Sequence, residues 1–164
     1  MTTQHCMNLL NSIRSSSGKA RTRGLGDEAV RKFLETDKDL ARAIEAAAAN
    51  RRKASPEEEK LYKMEEKELC RLLQGKVLNF YNAASINPYA PLAAAGSWIV
   101  TSHGAVVHDS GGYGMLGMGH APESVLKAMS EPYVMANVMT PSFSQHRLTD
   151  RLAREIGRAR GGGP

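Results

Sequence analysis

The run Trp98-Ile99-Val100-Thr101, the turn Ser102-His103-Gly104 and the run Ala105-Val106-Val107-His108 decide the fold. Two short segments rich in β-branched and aromatic residues flank a turn. That pattern reads as a β-hairpin, with Gly104 supplying the positive-φ position. Directly after it comes Asp109-Ser110-Gly111-Gly112-Tyr113-Gly114-Met115-Leu116-Gly117-Met118-Gly119-His120. Glycine at 111, 112, 114, 117 and 119 lets the backbone turn sharply or come close to a ligand.

On the C-terminal side, Pro122 opens a helix that runs to Met129, and Ser144 caps another from 145 to 156. Leu148, Leu152 and Ile156 share one face of the latter. On the N-terminal side, residues 76–81 are β-prone and residues 82–92, with Pro88 and Pro91, are turn-rich. Further upstream, Ser55-Pro56-Glu57-Glu58 is a helix start. Ser55 can accept from a free backbone N–H, Glu58 can reach back to the cap, and Pro56 suits the first helical position. One helix is predicted from 56 to 74, with Leu61, Met64, Leu69, Leu72 and Leu73 on its apolar face and Gly75 as a left-handed terminator. Asp27 caps a helix towards Lys38, and a further stretch continues through Ala49. Val30, Phe33 and Leu34, then Leu40, Ala43 and Ile44, recur at helical spacing, and the two stretches read as one kinked rod.

The fold class is therefore mixed, α+β, in three segments: a disordered basic tail over 1–26, a helical part over 27–75, and a β-containing part over 76–164. At 164 residues the chain is the size of one ordinary domain. With 41% hydrophobic but only 5% aromatic residues, its core rests on aliphatic side chains. The net charge of +5 lies mostly before residue 55. A basic arm over 14–53 can meet a phosphate backbone, but such arms are usually only solvated, and nucleic acid is disfavoured as a partner. Cys6 and Cys70 form no CxxC pair and read as free thiols of a reducing compartment. No apolar run is long enough for a membrane span and no secretory core follows the start, so no membrane partner is expected. Residues 1–26 are rich in Arg and Ser with no acid before Asp27, a composition shared by disordered tails and mitochondrial transit peptides. The expected location is cytoplasmic, with the mitochondrial matrix as the alternative.

Candidate chemistry is sparse. Gly112 to Gly117 satisfies G-x-G-x-x-G, yet it lacks the strand–helix context and the following acid of a dinucleotide site. His5, His103, His108, His120 and His146 form no metal-type pair, there is no G-x-S-x-G elbow, and Cys70 has no motif around it. Residue chemistry alone assigns no catalytic, cofactor-binding or metal-ligating residue.

A resemblance adds to this. Tyr89-Ala90-Pro91-Leu92, then Gly96-Ser97-Trp98-Ile99-Val100, then Gly104 to Asp109, then Gly112 to Pro122, follow one another in an order similar to the opening of class III pyridoxal-phosphate-dependent aminotransferases. That family includes ornithine, acetylornithine and 4-aminobutyrate aminotransferases. Members show an aromatic-x-Pro-Leu entry, a small antiparallel sheet and a Gly-rich turn into paired histidines. The resemblance covers about residues 76–157, and Met118 stands where the family has its first histidine. It implies the small-domain portion of a fold-type I transferase, a short antiparallel β-meander plus helices, with a helical N-terminal extension. It implies amino-group transfer from an amino acid or amine to a 2-oxo acid on pyridoxal 5'-phosphate, in a homodimer. It assigns Tyr89, Tyr113, Gly112 and Gly114 to the substrate channel, the glycines keeping the backbone close to the substrate beside Tyr113. The family's Schiff-base lysine, pyridine-nitrogen Asp and phosphate cup all lie downstream of the matched segment. The 164 residues are thus expected to be inactive alone. Two other readings of the same residues are a non-catalytic interaction or dimerisation module and a basic nucleic-acid-associated protein.

Overall fold

The computed structural model describes residues 2–75, 78, 82, 88–110, 117–132 and 141–159. Its elements are α1 (Thr3–Ser16), α2 (Asp27–Leu34), α3 (Lys38–Arg52), α4 (Pro56–Tyr62), α5 (Glu66–Gln74), β1 (Pro91–Ala95), β2 (Trp98–Thr101), β3 (Val106–His108), α6 (Glu123–Met129) and α7 (Phe143–Ala159). The fold is α+β, with one three-stranded antiparallel sheet in the order β1-β2-β3. The chain divides into two compact units, Met1–Glu123 and Ser124–Pro164. Among the described residues no helix is long and apolar enough to cross a membrane.

The hairpin forms as its sequence dictates. Val100 faces Val106, Ile99 faces Val107 and Trp98 faces His108 across β2 and β3. Gly104 takes φ +75 and donates its N–H to the Thr101 carbonyl, while the Thr101 hydroxyl accepts from Ala105. All four residues of β2 are buried, as befits the central strand. β1 corrects the turn-rich reading of 82–92. Pro91 cannot donate to a ladder, but it starts an edge strand, where that costs nothing. Ala93 to Ala95 pair with Val100 to Trp98.

One core unites what the sequence divides. Cys6, Met7, Leu10 and Ile13 of α1 meet Leu40, Ala43, Ile44, Ala47 and Ala48 of α3, Val30 of α2, and Ala95, Trp98, Val100 and Val106 of the sheet. The alanines let α3 lie close against β1 and β2. The disordered tail expected over 1–26 and its separation from the β-containing part are both corrected. The positions 6, 7, 10 and 13 are a helical stripe. Thr2 caps α1 by accepting from the His5 N–H, and the stripe pays its ordering cost by burial against α3.

The strap 17–25 after α1 is stitched down by backbone groups. Gly18 N–H donates to the Tyr62 carbonyl, Glu66 N–H to Lys19, and Leu25 N–H to Val106. The fully buried Glu66 carboxylate accepts the N–H groups of Arg21 and Thr22 through Oε2, both at 2.6 Å. This explains a second correction. The single helix expected over 56–74 breaks into α4 and α5, because Gly18 takes the Tyr62 carbonyl and His103 Nε2 takes the Met64 carbonyl. Those carbonyls would otherwise serve a continuous helix. The reciprocal capping at Ser55 and Glu58 is present as read. Gly75 stays right-handed at φ −63, so it is no left-handed terminator.

The kinked rod over 27–52 is two helices. Asp37 interrupts it: its Oδ1 caps α3 by accepting from Asp39 N–H, and its Oδ2 accepts the Trp98 indole N–H at 2.7 Å. Phe33 and His108 pack their rings on Trp98. In the second unit α6 begins where Pro122 places it. α7 is capped by Ser142, not Ser144: the Ser142 hydroxyl accepts from Gln145 N–H, and the Gln145 side chain accepts from Ser142 N–H.

Candidate functional site

The chain leaves β3 at Asp109, enters the glycine-rich stretch and returns at His120. The two ends are fastened to the same place. Asp109 N–H donates to the Ser97 carbonyl at 2.7 Å, and His120 exchanges both backbone hydrogen bonds with Gly96, at 2.7 and 2.9 Å. The His120 ring closes the base through Nε2 to Asp109 Oδ2 at 2.9 Å, and both side chains are about three-quarters covered. With its proton on Nε2, a neutral imidazole donates to that carboxylate. Gly96 sits at φ +54 and Gly119 at φ +76, where a Cβ on Gly119 would stand 2.8 Å from the Gly96 backbone. Arg42 of α3 holds the outgoing chain by donating to the Ala121 carbonyl, and it also pairs with Asp39 and Glu123.

Tyr89 lies just before β1 and is half-buried. Burial raises its phenol above the ordinary value, and the Asp109 carboxylate adds to the rise. Tyr89 therefore keeps its proton and feels the Asp109 carboxylate, although it precedes Pro91 at the Thr101 end of the sheet and Asp109 follows His108 at the Trp98 end. The carboxylate–imidazole pair closes the Trp98 end of the sheet, and the Tyr89 hydroxyl is a separate hydrogen-bonding group before β1. Of the four residues assigned to a substrate channel, Tyr89 is described, half-buried just before β1. Gly112, Tyr113 and Gly114 lie outside the described residues. Sequence reasoning passed over Asp109 and His120 as a pair. The available signal was that they bracket the glycine run on both sides.

The remaining chemistry is structural. Ser102 Oγ and His103 Nδ1 are 3.0 Å apart, a nucleophile-like pair, but both residues are buried. His103 Nε2 is spent on the Met64 carbonyl. Burial raises the thiols of Cys6 and Cys70, helped by Glu45 and Glu66 respectively, which keeps them protonated and inert. The basic segment is partly committed to the fold. Arg14 bonds the Gly104 carbonyl and Asp27, and buried Arg51 bonds Glu59 and the Ser16 carbonyl while lying over the Tyr62 ring. An open groove of about 550 Å³ runs along α1 and α3 past His5, Leu9, Glu45 and Arg52, away from Tyr89. Among the described residues no group of three or more His, Cys, Asp or Glu could hold a metal ion.

Pyridoxal phosphate fits these residues poorly. Lys19, Lys32, Lys38, Lys53, Lys60, Lys63, Lys67 and Lys127 are all exposed, so none of the described lysines stands enclosed beside Tyr89. An enclosed, desolvated amine is what Schiff-base chemistry needs. No protein-family model, no curated protein and no solved structure matches the chain.

Proposed function

We propose that this chain provides the substrate-side wall of a class III aminotransferase and none of its cofactor-holding residues. The observation that supports the reading is the fastening of both ends of the glycine-rich stretch by the Asp109–His120 pair and the Gly96 bridge, with the half-buried Tyr89 within the field of Asp109. In this reading the Tyr89 ring packs on the alkyl chain of an amino donor, and its hydroxyl meets a charged end. The Asp109–His120 pair fastens the two described ends of the glycine-rich stretch, Asp109 and His120, to each other. Amino-group transfer to a 2-oxo acid belongs to the intact homodimeric enzyme, and the 164 residues alone are inactive.

The test is a titration of the labelled chain with ornithine and 4-aminobutyrate, followed by NMR. A saturable shift of the Tyr89 ring resonances, abolished in Tyr89→Ala and weakened in His120→Ala, is the expected result. No shift with either donor rejects the substrate wall. Borohydride reduction in the presence of pyridoxal phosphate should mark no single lysine stoichiometrically, and one uniquely modified lysine would reject the assignment of inactivity. The interaction-module reading has one observation in its favour, the half-exposed Leu148, Leu152 and Ile156 on α7.

A further inference from the structure

Neither α6 nor α7 contributes a buried residue among those described. Isolated helices of such length are marginal in water unless an apolar face is covered. On α7, Leu148, Leu152 and Ile156 are 58%, 49% and 46% exposed. They follow one another at i, i+4 and i+8, so they form a single ridge along the helix. That is the ridge two helices interdigitate when they cross at about −50°. The ridge is nearly palindromic about Leu152: a two-fold axis there sets Leu148 against Ile156 of the other helix.

The flank beside the ridge has its own pattern. Arg147, Arg151, Arg154 and Arg158 recur at i, i+4, i+7 and i+11 down one side. Glu155 lies between them and the ridge. It pairs with Arg151 at 3.2 Å and with Arg158. An anionic bilayer or a nucleic acid laid along this flank would meet the Glu155 carboxylate beside the contact line, where like charge is unfavourable. A reversed copy of the same helix meets it favourably, because the two-fold brings Arg151 of one copy to Glu155 of the other. Crossing at an angle also lets the remaining arginines diverge.

We infer that α7 is a self-association surface whose partner is the α7 helix of a second copy of this chain, with an isologous two-fold contact centred on Leu152. The contact is small, three aliphatic side chains and two reciprocal ion pairs, so the association is weak and reversible. The inference rests on α7 alone and is independent of the transaminase reading.

Sedimentation equilibrium of the full chain from about 1 to about 300 µM tests it, a range suited to weak reversible dimers. The expected result is a concentration-dependent monomer–dimer equilibrium. Leu152→Glu should leave monomer throughout. Arg151→Glu should weaken the dimer about tenfold, and adding Glu155→Arg to it should restore the dimer. Circular dichroism shows whether each variant keeps its helix. If Leu152→Glu does not, the charge reversal and its rescue decide, since neither Arg151 nor Glu155 is buried. Three results overturn the inference. They are a wild-type chain monomeric at every concentration, a dimer indifferent to both changes, and a monomer that instead sediments with phosphatidylserine vesicles or a duplex oligonucleotide. The donor titration reads Tyr89 and this test reads association through Leu152 and Arg151, so the two fail separately.

Discussion

α1 and α7 are both amphipathic helices with aliphatic residues at three- and four-residue spacing, yet they have opposite fates. Met7 and Leu10 of α1 are wholly buried against α3. Leu148, Leu152 and Ile156 of α7 stay about half exposed. Periodicity specifies a helix and its apolar face. Whether that face stabilises the chain depends on the presence of a second surface. In the first unit the surface is α3, whose alanines bring α1, α2 and the sheet to one core. In the second unit no described residue is buried.

The contrast breaks most easily at its strongest point. Leu10→Ala should cost about 2–5 kcal/mol in urea unfolding, the range for truncating a fully buried leucine. Leu148→Ala should change stability by no more than about 0.5 kcal/mol, as for exposed sites. Equal effects would abolish the distinction between the units. Glu66→Gln comes next. It keeps the shape but removes the charge that accepts Arg21 and Thr22, whose loss should cost about 1.5–3 kcal/mol. Faster amide exchange at those two residues, with the α7 amides unchanged, would localise the damage to the strap.

Gly96→Ala is predicted to cost about 1–3 kcal/mol, because φ +54 strains any residue with a Cβ. Asp39 also occupies the space a Cβ would take. The same change should loosen the Asp109–His120 base, read as a shift of the His120 ring resonances.

The smallest effect is alkaline. Cys6 and Cys70 are raised above 9.0, and Tyr62 and Tyr89 above 10.0, each chiefly by burial. Raised values mean the folded state binds these protons more tightly than the unfolded chain. The resulting stability is complete below about pH 9 and is lost as pH climbs through the folded-state values. All four groups lie in the first unit, so α7 should not share the loss. Tyr89→Phe should flatten the fall above pH 10 in a thermal-melt series, and an unchanged profile would show that neither burial nor Asp109 raises the Tyr89 phenol.

What was legible follows from the range of the interactions involved. The hairpin, its Gly104 turn and the Ser55–Glu58 capping box depend on residues a few positions apart, and all three stand as read. α1 was hidden because its stripe of Cys6, Met7, Leu10 and Ile13 sits among polar and basic residues and gains its stability from α3, far along the chain. β1 was hidden because a proline and three alanines carry little strand preference, and pairing with β2 supplies the rest. Tyr89 could be singled out by its place in a resemblance, but the Asp109–His120 pair could not, because it depends on how the sheet end is closed.

The sequence alone determined the mixed α+β character, the hairpin and its register-setting turn, and the reciprocal cap of Ser55 and Glu58. These are local choices, settled by steric limits on the backbone and hydrogen bonds within a turn or two. The tertiary structure decided that α1 and its strap belong to the core and that α4 and α5 part where Gly18 and His103 claim their carbonyls. It also decided that Asp109 and His120 close on each other at the Trp98 end of the sheet. Each of these rests on a contact between residues distant in the chain, whose gain is realised only once packing has brought both partners together.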